Sequence, residues 1–239
     1  MQKYQKQEIR PTVKDVVLSW PARSVGVLTG DSRVFHLAHS WMIRHFLANK
    51  RVRIIDCAIR FNSNYLVDEL LRLDEPVDAA LMSIDIRRAF TPYQILDAVH
   101  EIALHGNKEG EVFYILAPFK QFFDGDVATD ESAYLLHMLN EKLARLSRLG
   151  WPVVVVEHAD YQHASFQQAY QQLTGIAKPL WQIVNIRQPT GTGSVLRTSI
   201  TGETHGTNDR AIQHSNGNGG ATLQQIPPSF AKGRPKICR

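Results

Sequence analysis

The sequence predicts an α/β fold: a three-layer sandwich with a mainly parallel sheet and an antiparallel hairpin at one edge. Three observations predict it. Five short apolar runs alternate with segments of helical periodicity, the pattern of strands buried on both faces. Helix boundaries carry their own punctuation, with Thr91-Pro92 at one start and Gly150 then Pro152 at one stop. The last two apolar runs flank "RQPTGTG", whose two glycines fit a hairpin connection.

Taken in chain order, "SVGVLT" (24–29) reads as a first strand ending at Gly30. Residues 33–48 follow as a helix, with Val34, Leu37, Ala38 and Trp41 at helical spacing. "VRIIDC" (52–57) is a second strand, "NYLVDELLRL" (64–73) a helix and "AALMSI" (79–84) a third strand. "FTPYQILDAVHEIALHG" is a helix with Thr91 as N-cap and Gly106 placed to end it. "EVFYILAP" (111–118) is a fourth strand. The helix over 130–149 aligns Leu135, Leu136, Leu139, Leu143 and Leu146 on one face. "VVVVEH" (153–158) is a fifth strand, a glutamine-rich helix spans about 162–173, and "LWQIVNI" (180–186) and "SVLRTSI" (194–200) form the edge pair.

This organisation gives an N-terminal tail over 1–14, a core over 15–200 and a C-terminal tail over 201–239. The last segment is rich in Gly, Asn, Gln, Ser and Pro, has little apolar period and is expected to be disordered. Lys232, Arg234, Lys236 and Arg239 make its end basic. Composition is that of an ordinary globular chain, 44% hydrophobic and 21% charged over 239 residues. No apolar run is long enough for a membrane span, and the polar "MQKYQKQEIRPTVKD" lacks the apolar stretch of a signal peptide. Cys57 and Cys238 have no metal spacing and make no disulfide framework, so a cytoplasmic setting is expected, with contact to the nucleoid as a variant of it. The net charge of +4 permits nucleic-acid contact without demonstrating it.

Ligands of an open parallel sheet bind at the carboxyl ends of its strands. The residues there, in strand order, are Gly30-Asp31-Ser32-Arg33, Asp56 to Phe61, Asp85 to Phe90, Ala117 to Lys120 and Glu157 to Asp160. With these stretches in place, the series resembles the RecA/RadA-type recombinase superfamily, most closely its divergent paralogues. "VGVLTGDSRVFHLAHSWM" resembles a strand, phosphate loop and helix, and "RVRIIDCAIRFNSNYLVDEL" the second strand with its acidic turn. "RRAFTPYQILDAV" is the most specific stretch, and the run from "VFYILAPFKQFFDGDV" to "VVVVEH" resembles the fourth strand, long helix and fifth strand. The resemblance covers roughly residues 15–200 and implies a RecA-like sheet, side-by-side assembly into homo- or hetero-oligomers, and work in DNA recombination or repair.

The catalytic positions that the resemblance implies are vacant. A phosphate loop of the form G-x-x-x-x-G-K-[ST] wraps phosphates with backbone N–H groups and meets them with its lysine. Counted from Gly30, the second glycine falls on Phe35, the lysine on His36 and the hydroxyl residue on Leu37. Aligned on the helix instead, Arg33 or Val34 stands near the lysine position. Ala58 stands where the water-activating glutamate belongs, and Ala117 or Pro118 where the magnesium-orienting aspartate belongs. Asp124 and Asp126 come later and fit helix capping better. Phosphoryl transfer is mostly positioning and charge stabilisation, so three losses argue against hydrolysis.

Gly30, Asp31, Ser32, Arg33 and His36 thus form a degenerate phosphate loop, in which a simple helix cap by Asp31 or Ser32 is the competing reading. Arg60, Arg87, Arg88 and Lys120 are candidate contacts to DNA or an acidic partner, against salt bridging to Asp56, Asp85 and Asp124. Arg187 and Arg197, beside Gly191 and Gly193, flank the region where recombinases carry DNA-facing loops. Glu157, His158, Asp160 and His163 form a polar cluster able to hold a metal or do acid–base work, or simply to cap a helix. His36, His39 and His45 fit surface or half-buried roles better than a metal site. Phe119, Phe122 and Phe123 around Lys120 suit either stacking or core closure.

The expected function is a non-hydrolysing recombinase paralogue acting through a recombination or repair protein or through DNA, with no cofactor. Two enzyme readings stand beside it. One is a divergent ATPase using ATP and magnesium, with Arg33 or His36 at the phosphates. The other is a metal-dependent hydrolase on the Glu157–His163 cluster.

Overall fold

The computed structural model describes residues 13–14, 16–20, 23–105, 109–123, 127–159, 164–188, 191–199, 210–214 and 222–225. The α/β alternation holds. β1 (Val25–Gly30) leads to α1 (Arg33–Leu47), β2 (Arg51–Asp56), α2 (Ser63–Arg72), α3 (Val77–Met82) and β3 (Ile84–Arg88). Then come α4 (Pro92–His105), β4 (Glu111–Leu116), α5 (Thr129–Arg148), β5 (Val153–His158) and α6 (Ala164–Ile176). β6 (Leu180–Gln188), β7 (Gly191–Ser199), β8 (Arg210–His214) and β9 (Thr222–Gln225) complete the order.

The strands form one sheet in the order β3-β2-β4-β5-β1-β6-β7-β8-β9. Pairing is parallel from β3 through β6. It is antiparallel from β6 through β9. The predicted edge hairpin is therefore β6–β7, but it is not the last pair. β8 and β9 lie inside the region expected to be a disordered tail. Their sequences, "RAIQH" and "TLQQ", carry one or two apolar residues each, too few for a period to stand out.

The third strand is also displaced. "AALMSI" was expected to be a strand, but Val77–Met82 is helix α3 and the strand is Ile84–Arg88. Alanine, leucine and methionine are strong helix formers, and Pro76 sits at the N-cap position. β3 is an edge strand, so its alternating, largely exposed sequence never shows the continuous apolar run of a buried strand. As a result Arg87 and Arg88 lie within the strand and project to opposite faces.

Right-handed crossovers place α1, α2 and α3 on one face and α4, α5 and α6 on the other. The α5 leucines named above are buried under the second face with Phe119, Phe166 and Leu173. Each such side chain contributes about 1.5–3 kcal/mol of transfer free energy. The first face buries Leu28, Val34, Trp41 and Trp181. Trp41 and Trp181 pack edge to face at 4.9 Å, and Trp20 meets Trp181 at 5.7 Å. Thr91 caps α4 as predicted, accepting the Gln94 amide at 3.2 Å, while Gln94 Oε1 accepts the Phe90 amide. Gly106, its predicted terminator, lies outside the described residues.

Candidate functional site

Only Asp31 and Ser32 separate β1 from α1. That leaves no loop long enough to wrap a phosphate. Asp31 Oδ1 accepts the Arg33 amide at 3.0 Å and the Arg33 Nε–H at 2.8 Å, and Oδ2 pairs with the Arg33 guanidinium as well. The Val34 amide bonds the Asp31 carbonyl and the Phe35 amide the Ser32 carbonyl. The hydrogen bonds from Arg33 hold the Asp31 carboxyl below the usual carboxylate range. A carboxylate belonging to the chain thus caps the helix, in the position an anion would take. Ser32 makes no side-chain cap bond.

Gly30 has φ +148, and a Cβ there would meet the Ile183 carbonyl oxygen at 2.8 Å. Its glycine serves the close approach of β1 and β6. Phe35, at the second glycine position, lies on α1 with 7% exposure. His36 is exposed, its ring 5.4 Å from that of Tyr65. His39 and His45 are buried by their packing. His39 bonds the Phe35 carbonyl through Nδ1 and accepts the Asn62 amide at Nε2, joining α1 to α2. His45 Nδ1 lies 3.0 Å from the Tyr114 hydroxyl.

At the end of β2, the fully buried Asp56 carboxylate accepts the amides of Ala58, Arg60 and Phe61 at 3.4, 2.8 and 3.2 Å. These bonds fold the chain into a tight turn with Ile59 at φ +54. The Arg60 guanidinium lies 5.1 Å from the centroid of the Phe35 ring. The acidic turn is therefore structural, and Ala58 offers no side-chain acid beside it.

At the end of β4, Ala117 adopts φ +48, and Phe119 and Phe122 are in the core rather than presented for stacking. Lys120 is half-buried in the short turn that follows. At the end of β5, Glu157 is fully buried and accepts the amides of Phe119 and His158, both at 2.9 Å. Burial pushes its pKa up to about 8, against those two bonds and the charge of Arg60. His158 is half-buried, and its charge adds to the lowering at Asp31. Asp160 and His163 lie outside the described residues. Among the described residues, no group of three His, Cys, Asp or Glu side chains is arranged to hold a metal ion.

The remaining arginines divide. Arg87 pairs with Glu101 of α4 and with it lines a cleft of about 250 Å³ between β3 and α4. The cleft also carries Arg53, Asp85 and His105 over Ile102 and Phe113. Nothing in the sequence marks it, because its charged walls come from three separate elements, β2, β3 and α4. Arg88 is exposed and faces the other way, beside Asp56 in register. Arg60, Arg88 and Lys120 are brought to one corner of the sheet. Arg187 and Arg197 are not: they lie on β6 and β7, beyond β1, with Arg197 opposite Gln182 and Gln182 level with Thr29. The hairpin beyond that level projects past the carboxyl end of β1.

No protein-family model matches this chain, and no curated protein matches it in sequence. Among the described residues, no helix is long and apolar enough to cross a membrane.

Proposed function

We propose that this chain is a non-hydrolysing relative of RecA/RadA-type recombinases that assists DNA repair or recombination by binding a partner ATPase or DNA. The observation that carries the reading is the Asp31 carboxylate, which occupies the N-terminus of α1 and holds Arg33. Phe35 fills the second glycine position, and Ala58 and Ala117 leave the acidic positions of two further strand ends empty. The open edge of β3, with Ile86 44% exposed, and the end of α3 beside it, with Met82 84% exposed, support engagement of a protein partner. An ATPase working through Arg33 draws no support from this geometry, because the guanidinium is held by Asp31.

The test is calorimetry and thermal unfolding of the full chain with ATP and magnesium, followed by co-purification from the native host. No heat of binding, no shift in Tm and recovery of a recombinase or polymerase partner are expected. Magnesium-dependent stabilisation by ATP overturns the reading, and so does a metabolic enzyme as the main partner.

A further inference from the structure

We infer that the open edge of β3 pairs with the same edge of a second copy of this chain, antiparallel about a two-fold axis at Ile86, giving a dimer with one continuous sheet. The inference goes beyond the function proposed above, and its test does not depend on that reading.

β3 ends the sheet on one side. Its pairing with β2 decides which of its backbone groups face outward. The Val52 amide bonds the Ser83 carbonyl at 3.2 Å, and the Ala89 amide bonds the Asp56 carbonyl at 3.1 Å. Backbone groups alternate between the two sides of a strand, so Asp85 and Arg87 also turn theirs toward β2. Ile84, Ile86 and Arg88 turn theirs outward, where no strand among the described residues takes them up.

An antiparallel partner strand therefore sets Ile84, Ile86 and Arg88 against one another. The two-fold registers that overlap most of the strand are centred on Asp85, Ile86 or Arg87, and charge separates them. Centred on Asp85, two aspartates stand face to face. Centred on Arg87, two arginines do. Centred on Ile86, Asp85 stands opposite the partner's Arg87 on either side of the axis, and Ile86 opposite its own copy. Opposite charges directly across a strand pair stabilise it, and like charges destabilise it. In this register Ile84 lies across from the partner's Arg88, and every outward amide and carbonyl of β3 finds a bond.

The side chains extend the match. Arg51 pairs with Asp85 at 3.0 Å, and Arg87 pairs with Glu101. Joining two copies aligns Arg51, Asp85, the partner's Arg87 and the partner's Glu101 in a row of alternating sign. These side chains are 43–59% exposed, so the row is open to the second copy. On the other face Ile86 is half exposed at the axis. Met82, at the end of α3, comes to the level of the partner's Phe90, and both are exposed. A thioether against an aromatic ring is a favourable contact. Charges on an edge strand ordinarily repel other strands. Here they select one register. Because the edge is joined to itself, assembly closes at two copies rather than growing.

The experiment is sedimentation velocity of the full chain at micromolar concentrations. A monomer–dimer equilibrium is expected. Asp85→Arg faces arginine with arginine, and Arg87→Asp faces aspartate with aspartate, so each should weaken self-association about tenfold or more. Mixed together, the two variants are complementary and should form a one-to-one heterodimer. Ile86→Lys places like charges on the axis and should also leave a monomer, with circular dichroism checking its fold. Amide hydrogen exchange reads the register in the parent. The amides of Ile84, Ile86 and Arg88 should gain protection as concentration rises, while those of Asp85, Arg87 and Ala89 are protected throughout. The exchange pattern needs no variant, so it decides even where a substitution unfolds the chain. A parent that stays monomeric overturns the inference and leaves the edge to another protein. Growth beyond two copies overturns it too, as do folded charge variants that fail to associate when mixed, or concentration-dependent protection that misses β3.

Discussion

The Arg60 guanidinium stands 5.1 Å from the centroid of the Phe35 ring, across the gap between the end of β2 and the start of α1. That pair closes the space between the turn after β2 and the first turn of α1, where a cation leans on an aromatic ring. The strand ends are therefore filled from within, by Phe35 and Arg60 on one side and by the Asp31 carboxylate on the other.

Removing Asp31 should expose how much of this filling is structural. Asp31→Ala deletes the bond to the Arg33 amide and the bonds to its guanidinium. An N-cap loss of this kind costs about 1 kcal/mol. The Asp31 carboxyl is held below its ordinary value of 3.8, so its contribution is present above that value and fades as pH falls through the lowered pKa. Urea unfolding at pH 7 should show the lower midpoint for the variant, and the gap should narrow as pH falls below 3.8. A variant as stable as the parent at pH 7 rules out the capping role.

Gly26 tests the tryptophan packing of the first face. A Cβ there would run into the Trp181 ring, which packs against the rings of Trp20 and Trp41. Gly26→Ala should lower stability by about 1–3 kcal/mol and disturb the near-ultraviolet circular dichroism of the tryptophans. An unchanged Tm and spectrum would show that the ring shifts freely.

The parallel strands were legible because burial on both faces leaves continuous apolar runs, as in "VVVVEH" and "EVFYIL". Thr91 and Pro92 announced α4 through local chemistry alone. β3 was misplaced because an edge strand needs no such run, and Arg87 changed role with it: inside the strand it turns toward Glu101 rather than the carboxyl corner. The vacant positions at Ala58 and Ala117 could be read by spacing. The two-residue link between β1 and α1 was legible as well, from a strand ending at Gly30 and helical spacing that starts at residue 33. The exposure of Ile59 was not, because only the structure shows Asp56 folding the turn outward.

Two buried groups on opposite sides of the fold should shape the pH profile of stability. His45 is fully buried against Tyr114, and burial, with a smaller effect of Lys50, pushes its pKa from 6.5 down to about 3. As pH falls below 6.5 the unfolded chain takes up this proton and the folded chain does not, so stability is lost toward pH 3. Glu157 acts in the reverse direction. Its pKa rises from 4.5 to about 8, so the unfolded chain releases a proton that the folded chain keeps, and stability is lost as pH rises through that window. Between 4.5 and 6.5 the two slopes oppose one another, giving a plateau, with an acid limb below and an alkaline limb above that flattens past pH 8. Glu157→Gln keeps an acceptor for one of the two amides, so it should fold with a lower midpoint but without the alkaline limb. His45→Phe combined with Tyr114→Phe should remove the acid limb and leave the alkaline one. Urea midpoints from pH 3 to 9 measure both, and a Glu157→Gln profile parallel to the parent's above pH 6.5 assigns the alkaline limb to another group.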